Sequence, residues 1–499
     1  MISVVKWLPR GAAASAPERF ELSPQELEMF KQMKNEKERE MLTKSKSMSP
    51  ENDLKMDVAE QDRDEQSEEA RFLRSLNMES YDDEPEMAVS TEAILDETDE
   101  DLARTADRLL SVMDDDDDED PSSDEEDLTI KSTDDVCVVA RTEDDQQSSV
   151  SVYVYDGDDG SLYVHHDFSL PAFPLCFAWL NKNPNSPEGS SQNGNFLAVG
   201  TFEPQIEIWN LDVMDVLEPV SILGGRHPPT PQAKAKYENA MKKSKKNSSK
   251  KNLKILEEAA AFGEFKSGSH ENAVMCLSWN ERSCLASGSA DCTIKLWNIQ
   301  TSKCVSTFSN VHSSKIQSLQ WNPSEHFILL SGGYDQKVAV FDSRSQNSNV
   351  RRFTVDSDVE KVVWNPHNPA YFAVSTEKGS VLYFDVRKDD SPVFSIAAFQ
   401  STCSDVCFNS VVPNLLATSS LKSTVKLWDL SNSSPECIVK KKLSTGKIFS
   451  LDFSYSAFPF LLSAGGSSGN LAIWDILETK IIRERFGKFA NVDLSEYSE

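Results

Sequence analysis

Ser287, His270 and Asp291 are residues whose types, if they met in space, would supply a nucleophile, a base and the carboxylate that orients it. The set recurs as His312, Ser331 and Asp335 at nearly the same intervals. A hydrolase built on such a triad also needs a sharp turn that exposes the serine and backbone N–H groups aimed at an oxyanion, as in a Gly-x-Ser-x-Gly elbow. Neither serine has that setting. Ser287 lies in Leu285-Ala-Ser-Gly-Ser-Ala-Asp291 and Ser331 in Leu330-Ser-Gly-Gly-Tyr-Asp335, small-residue runs that turn at an Asp. Such runs, like Leu416-Ala-Thr-Ser-Ser420, read as strands pressed between neighbours, with the polar groups stapling a turn to a strand rather than attacking a substrate.

Other residues point to charge chemistry. Lys242, Lys243, Lys245, Lys246, Lys250 and Lys251 place six lysines in ten residues with no acid among them, a tract able to neutralise phosphates or to act as a nuclear address. Ser122 and Ser123 each have Glu three residues on, the pattern that an acidophilic kinase of the casein kinase 2 kind prefers. The nine cysteines include no Cys-x-x-Cys pair, and Cys276, Cys284, Cys292 and Cys304 fall on strand and turn patterns where thiols act as small hydrophobes. No cofactor, metal, small-molecule substrate or catalytic residue is expected, and the compartment is a reducing one.

The elements that position these groups repeat. An aromatic followed by Asp or Asn ends an apolar run at Tyr155, Trp209, Trp297, Phe341, Phe384, Trp428 and Trp474, and from Trp297 onward the spacings are 44, 43, 44 and 46 residues. A second series ends at Trp7, Trp179, Trp279, Trp321, Trp364, Phe408 and Phe453, and all nine tryptophans fall on one series or the other. This is the period of a four-stranded blade, so the fold expected is all-β, a seven-bladed propeller that resembles the WD repeat. In that resemblance His270, Ser287, Asp291 and Trp297 form the structural tetrad of one blade. His312, Ser331 and Asp335 form a partial one, with Phe341 in place of the indole donor.

Two stretches break the period. Residues 11–133 hold 39 Asp and Glu against 14 Lys and Arg, which leaves −25 of the chain's formal −30, and most of this stretch is expected to be disordered. Within it, Ser23-Pro24-Gln25-Glu26 is a helix start leading to about Met41, and Thr91–Met113 is a second helical segment. Between Trp209 and Trp297 lie 88 residues, room for one more blade, but nine lysines fall between Lys234 and Lys254 with no alternating apolar run. Without both insertions 332 residues remain, about 47 per blade.

The division that follows is 1–10, inner strand of blade one; 11–133, acidic insertion; 134–224, the rest of blade one and blade two; 225–268, Lys-rich flexible insertion; 269–488, blades three to seven; and 489–499, a C-terminal tail. Val4 to Leu8 carry the inner-strand pattern, though a stray apolar patch in a disordered tail is the alternative. Lys6 and Arg10 flank that run and no apolar segment of 18 residues follows, so neither a leader nor a membrane span is expected.

The N-terminal strand ending in Trp7, the acidic insertion, Ser161-Leu-Tyr-Val-His-His-Asp167, Ile206-Glu-Ile-Trp-Asn-Leu-Asp-Val213 with Leu217-Glu-Pro219, and the lysine linker before Gly268-Ser-His270 resemble the periodic tryptophan protein 1 family. The resemblance implies a nucleolar, non-enzymatic factor in large-subunit ribosome assembly, with links to ribosomal RNA transcription and histone-associated chromatin. Its partners would be pre-ribosomal proteins and ribosomal RNA. Read from the residues alone, a near-neutral ring with one anionic and one cationic arm also suits histone tails or the substrate-receptor role in a ubiquitin ligase.

Overall fold

The computed structural model describes residues 1–20 and 129–490, apart from 144–146, 158–159, 188–192, 229–262, 281–283, 346–349, 389–390, 433 and 456–457. Both expected helices of the acidic stretch, the acidic runs, Ser122, Ser123, the lysine tract and residues 491–499 lie outside the described residues.

Seven antiparallel sheets follow one another as the blades of a propeller. Blade one takes its first strand from Ile2–Trp7 and the others from Asp135–Thr142, Ser148–Tyr155 and Leu162–Leu170. Blade two is Pro174–Lys182, Asn193–Thr201, Gln205–Asn210 and Ser221–Gly224. Blade three is Val274–Asn280, Cys284–Ser289, Ile294–Asn298 and Lys303–Phe308. Blade four is Ile316–Trp321, Ile328–Gly333, Lys337–Asp342 and Arg351–Thr354. Blade five is Val359–Trp364, Tyr371–Thr376, Ser380–Asp385 and Phe394–Ala397. Blade six is Cys403–Phe408, Leu415–Ser420, Thr424–Asp429 and Glu436–Lys442. Blade seven has Ile448–Phe453, Leu461–Gly466 and Ala472–Asp475.

The two aromatic series therefore mark the first and third strand of every blade. The core lies between blades: Leu277, Leu285 and Trp297 of blade three pack with Ala178, Leu180 and Ile208 of blade two. Small residues on second strands let the next blade approach. A Cβ on Gly288 would stand 2.6 Å from Cys276 Sγ and 2.8 Å from Ile316 Cγ2, and Gly332 is closed off in the same way by Val359 and Val362. At Gly465 the intruding residues are Ile2 and Val5, so the N-terminal strand occupies against blade seven the place that each first strand takes against the blade before it. In all seven blades the pairing of first and second strand slips by one residue near its start, a bulge that adds local twist.

The strand directions give the ring two faces. First strands begin at one end, where the second–third turns and the links between blades also lie; this is the entry face. First–second and third–fourth turns share the opposite, exit face.

Three features depart from the period. Among the described residues blade seven has no fourth strand; after Asp475 the chain makes a 3-10 turn, Ile476–Glu478, and a helix, Lys480–Phe486. Asp475 caps the turn by accepting from Leu477 N–H at 2.8 Å, and Ile476, Ile482 and Phe486 pack against Leu427 and Trp474. Residues 11–20, counted in the insertion by sequence, run along blade two: Ala14 N–H donates to the Asp212 carboxylate at 2.9 Å, and Glu18–Arg19 pairs in parallel with Val213–Met214. Ile130 N–H returns to the Ser15 carbonyl at 2.9 Å. The second insertion is likewise tied at its base, with His227 N–H on Glu264 O at 2.8 Å and the Arg226 guanidinium 4.1 Å from the centre of the Phe265 ring.

Candidate functional site

In blade three the turn after the second strand places Asp291. Its N–H donates to Ser289 Oγ at 3.1 Å, its Oδ1 accepts from Thr293 N–H at 2.9 Å and Thr293 Oγ1 at 2.6 Å, and Cys292 takes a positive φ of 66° to close the turn. Asp291 Oδ2 then meets His270 Nδ1 at 2.9 Å, His270 Nε2 meets Ser287 Oγ at 2.7 Å, and Trp297 Nε1 donates to Ser287 Oγ at 2.8 Å. The indole can only donate, so Ser287 accepts there and gives its own proton to His270 Nε2. His270 is then a neutral imidazole whose Nδ1–H points at Asp291.

The charges agree with that assignment. Burial pushes the His270 pKa down, against the pull of Asp291. Burial also works against the ionised Asp291, but hydrogen bonds from His270, Thr293 and Glu271 N–H hold its carboxyl well below the ordinary carboxylate range.

Serine, histidine and aspartate are joined here in the order a hydrolase uses, yet the arrangement lacks access. Ser287 and His270 are both 0% exposed, and the oxygen that would attack is occupied by the indole. What the network can do is hold the turn, the entry loop and the third strand together.

The same network thins around the ring. In blade four His312 meets Asp335 at 3.0 Å and Ser331 at 2.8 Å, while Phe341, lacking a donor, packs 5.2 Å from Phe308 between ring centres. Blade five has Val374 and Phe384 at the matching register, with no polar pair. In blade six Trp428 Nε1 donates to Thr418 Oγ1 at 3.0 Å, a remnant that sequence reading did not single out because no histidine accompanies it. In blade two Trp209 instead donates at 3.2 Å to Glu207, whose pKa burial raises.

A second set of polar contacts closes the ring around its axis, and none of it was anticipated. Trp7 N–H donates to Asp452 Oδ2 at 3.0 Å, Val5 N–H to Ser450 Oγ at 3.2 Å, and Lys6 Nζ reaches Asp452 at 3.1 Å and the Tyr455 hydroxyl. Burial opposes the charge on Lys6, but Asp452 and Tyr455 outweigh it and raise the pKa. One blade earlier, Leu451 N–H donates to Asp405 Oδ2 at 2.9 Å and Lys361 lies 3.5 Å from Asp405 Oδ1. Burial raises the Asp405 pKa, with Lys361 opposing. Blades three to five use neutral acceptors in this role: Trp321 N–H on Ser278 Oγ at 3.1 Å and Trp364 N–H on Gln320 Oε1 at 2.6 Å.

Among the described residues no group of three or more His, Cys, Asp or Glu is placed to hold a metal ion, and no helix is long and apolar enough to cross a membrane. The cysteines are free thiols, and burial raises the pKa of Cys276, to about 12, and of Cys284, to about 11. The lysine tract and the two serines of the kinase pattern lie outside the described residues.

Comparison with known proteins places this architecture. The family described as "WD domain, G-beta repeat" matches residues 264–298, and "E3 ubiquitin-protein ligase RFWD3 WD40 domain" matches residues 305–425. An uncharacterized WD repeat-containing protein of Schizosaccharomyces pombe is 34% identical over 72% of this chain, which spans 64% of that relative's length, less than two thirds. The periodic tryptophan protein 1 homolog of Drosophila melanogaster is 32% identical over 72% of this chain and 71% of its own. Periodic tryptophan protein 1 of Saccharomyces cerevisiae is 29% identical, over 97% of this chain and 90% of its own.

Proposed function

The chain belongs to the periodic tryptophan protein 1 family, and from that premise we propose that it is a non-enzymatic scaffold in the nucleolus, acting in the assembly of large-subunit ribosomal precursors and the processing of their RNA. The observation that carries this reading is the reach of the likeness. With the yeast relative it runs through 97% of the chain, whereas a likeness of repeats alone would stop at the blades. Pre-ribosomal proteins and ribosomal RNA are then the partners, with histones as the second class.

Burial of Ser287 and His270 supports a scaffold over a hydrolase. The lysines from Lys242 to Lys251 serve as a nuclear address and contact RNA phosphates. Ser122 and Ser123 accept phosphate from an acidophilic kinase, adding to the anionic arm that engages basic proteins. The test is retrieval of the tagged protein from nuclear extract with and without RNase. Loss of the recovered ribosomal proteins on RNase treatment is expected. Recovery of histones untouched by RNase, with no ribosomal proteins in either arm, would move the protein to chromatin.

A further inference from the structure

Lys422, Lys440, Lys442 and Lys447 are exposed at the entry end of blade six and the start of blade seven, with Lys440 and Lys442 on the strand face that Lys426 turns toward Phe399, and Lys441 between them facing Trp474 of blade seven. Lys442 pairs with Thr424 and Lys440 with Lys426, and Leu443 N–H donates to the Ser423 carbonyl at 2.9 Å, which sets Lys422 beside the end of that outer strand. Lys447 is fixed across the gap to blade seven: its N–H donates to Ser467 Oγ at 2.9 Å, and Ser467 N–H returns to the Lys447 carbonyl at 2.9 Å. The residues between them, Ser444, Thr445, Gly446, Ser467 and Ser468, carry no charge.

Among the described residues the acids of this part of the ring are spent elsewhere. Glu478 pairs with Lys441, Glu484 with Lys480, and Asp429 and Glu436 with Arg485. On blade five the sign reverses, with Asp356, Asp358, Glu360 and Glu377 around Lys378. An uncompensated cationic surface in a chain of formal charge −30 calls for an anionic occupant.

We propose that this surface binds the phosphate backbone of single-stranded RNA, a partner class that rests on the ribosomal reading above. Lys440 and Lys442 project from one side of a strand about 7 Å apart, on the order of one nucleotide step in an extended chain. Lysine is a compact point charge that contacts phosphate without reading a base. A contact to the phosphate backbone carries no sequence information of its own, so the binding is tolerant of sequence. The other polyanion at hand is the chain's own acidic tract. Its described ends, Phe20 and Thr129, sit on the exit face beside Met214 and Ser15, whereas Lys422 and Lys447 are on the entry face. The ends of the lysine-rich connection, Arg226 and Phe265, share that entry face.

The test uses the full chain with Lys422→Gln, Lys440→Gln, Lys442→Gln and Lys447→Gln together, against the four Arg replacements, binding labelled oligouridine over a range of salt. Each phosphate neutralised contributes about 0.7 to the slope of log affinity against log salt, so the Gln variant is expected to lose about 2 to 3 units of slope. The Arg variant keeps the slope, all three proteins melt alike, and oligoadenosine behaves as oligouridine does. An unchanged slope in a Gln variant that melts like the wild type overturns the proposal. So does a peptide of residues 112–128 that displaces the RNA from wild type, together with tighter RNA binding once residues 21–128 are removed, since the occupant is then the acidic tract. Sedimentation is read separately: a slope that responds to the Gln changes in a protein absent from ribosomal precursors removes the ribosomal reading and leaves the RNA surface standing.

Discussion

Trp297 donates to the oxygen of Ser287 that a nucleophile would need, and its natural replacement stands one blade on, where Phe341 packs without a donor. That pair of blades sets a scale for substitution. Trp297→Phe removes one hydrogen bond and is expected to cost about 1 kcal/mol. Trp297→Ala also opens a cavity and is expected to cost about 3 to 5 kcal/mol. Denaturant midpoints of the two variants check the order, and equal losses would mean that the indole's bond rather than its volume holds the blade.

The histidines give a pH dependence of known sign. His270 is held neutral by burial, and His166, buried on the outer strand of blade one beside His165, is pushed down to about 4. Below the ordinary histidine value of 6.5 the unfolded chain binds protons that these folded histidines refuse, so stability falls as pH is lowered from there toward 4. The depressed Asp291 adds a further loss only below the ordinary carboxylate range. Thermal midpoints followed downward from neutral pH are expected to decline across this window and to decline less in His166→Gln. A flat profile through the window would contradict the neutral assignments.

At the scale of elements, the first strand of blade one and its other three are separated in sequence by residues 8–134 yet form one sheet. Deleting residues 1–10 removes the donors to Asp452 and Ser450 and uncovers Gly465, so the cooperative transition is expected to be lost. Deleting residues 24–128 leaves those contacts in place and is expected to leave the midpoint unchanged. Equal melting of the two shortened chains would defeat the split blade. In blade seven, Phe486→Ala is expected to cost about 3 to 5 kcal/mol by uncovering Leu427 and Trp474, measured by denaturant unfolding.

The blades were legible because an aromatic residue beside Asp or Asn recurs at a near-constant interval, and Trp7 announced its strand by matching the other first strands. Ile476 to Phe486 were not, because so short an apolar run reads equally as a last strand. The Asp475 cap sets the 3-10 turn, and the packing of Ile482 and Phe486 seats the helix that follows it. Residues 11–20 dock mainly through backbone groups, which leave no side-chain pattern to read. Asp452 could not be paired with Trp7 from sequence, since the two meet only when a ring of seven blades closes.

At the scale of the whole molecule, the insertions leave from opposite faces. The described ends of the acidic stretch lie at Phe20 and Thr129 on the exit face, and those of the lysine-rich connection at Arg226 and Phe265 on the entry face. Two arms of opposite charge on a rigid ring suit a bridging role, anionic toward basic proteins and cationic toward RNA. The central claim, a scaffold on large-subunit precursors, is tested most directly by sedimenting cell extract through a density gradient and following the protein beside precursor large-subunit RNA. The account predicts that the protein peaks with the precursors and moves to the top of the gradient after RNase. A protein that sediments alone in untreated extract would contradict it.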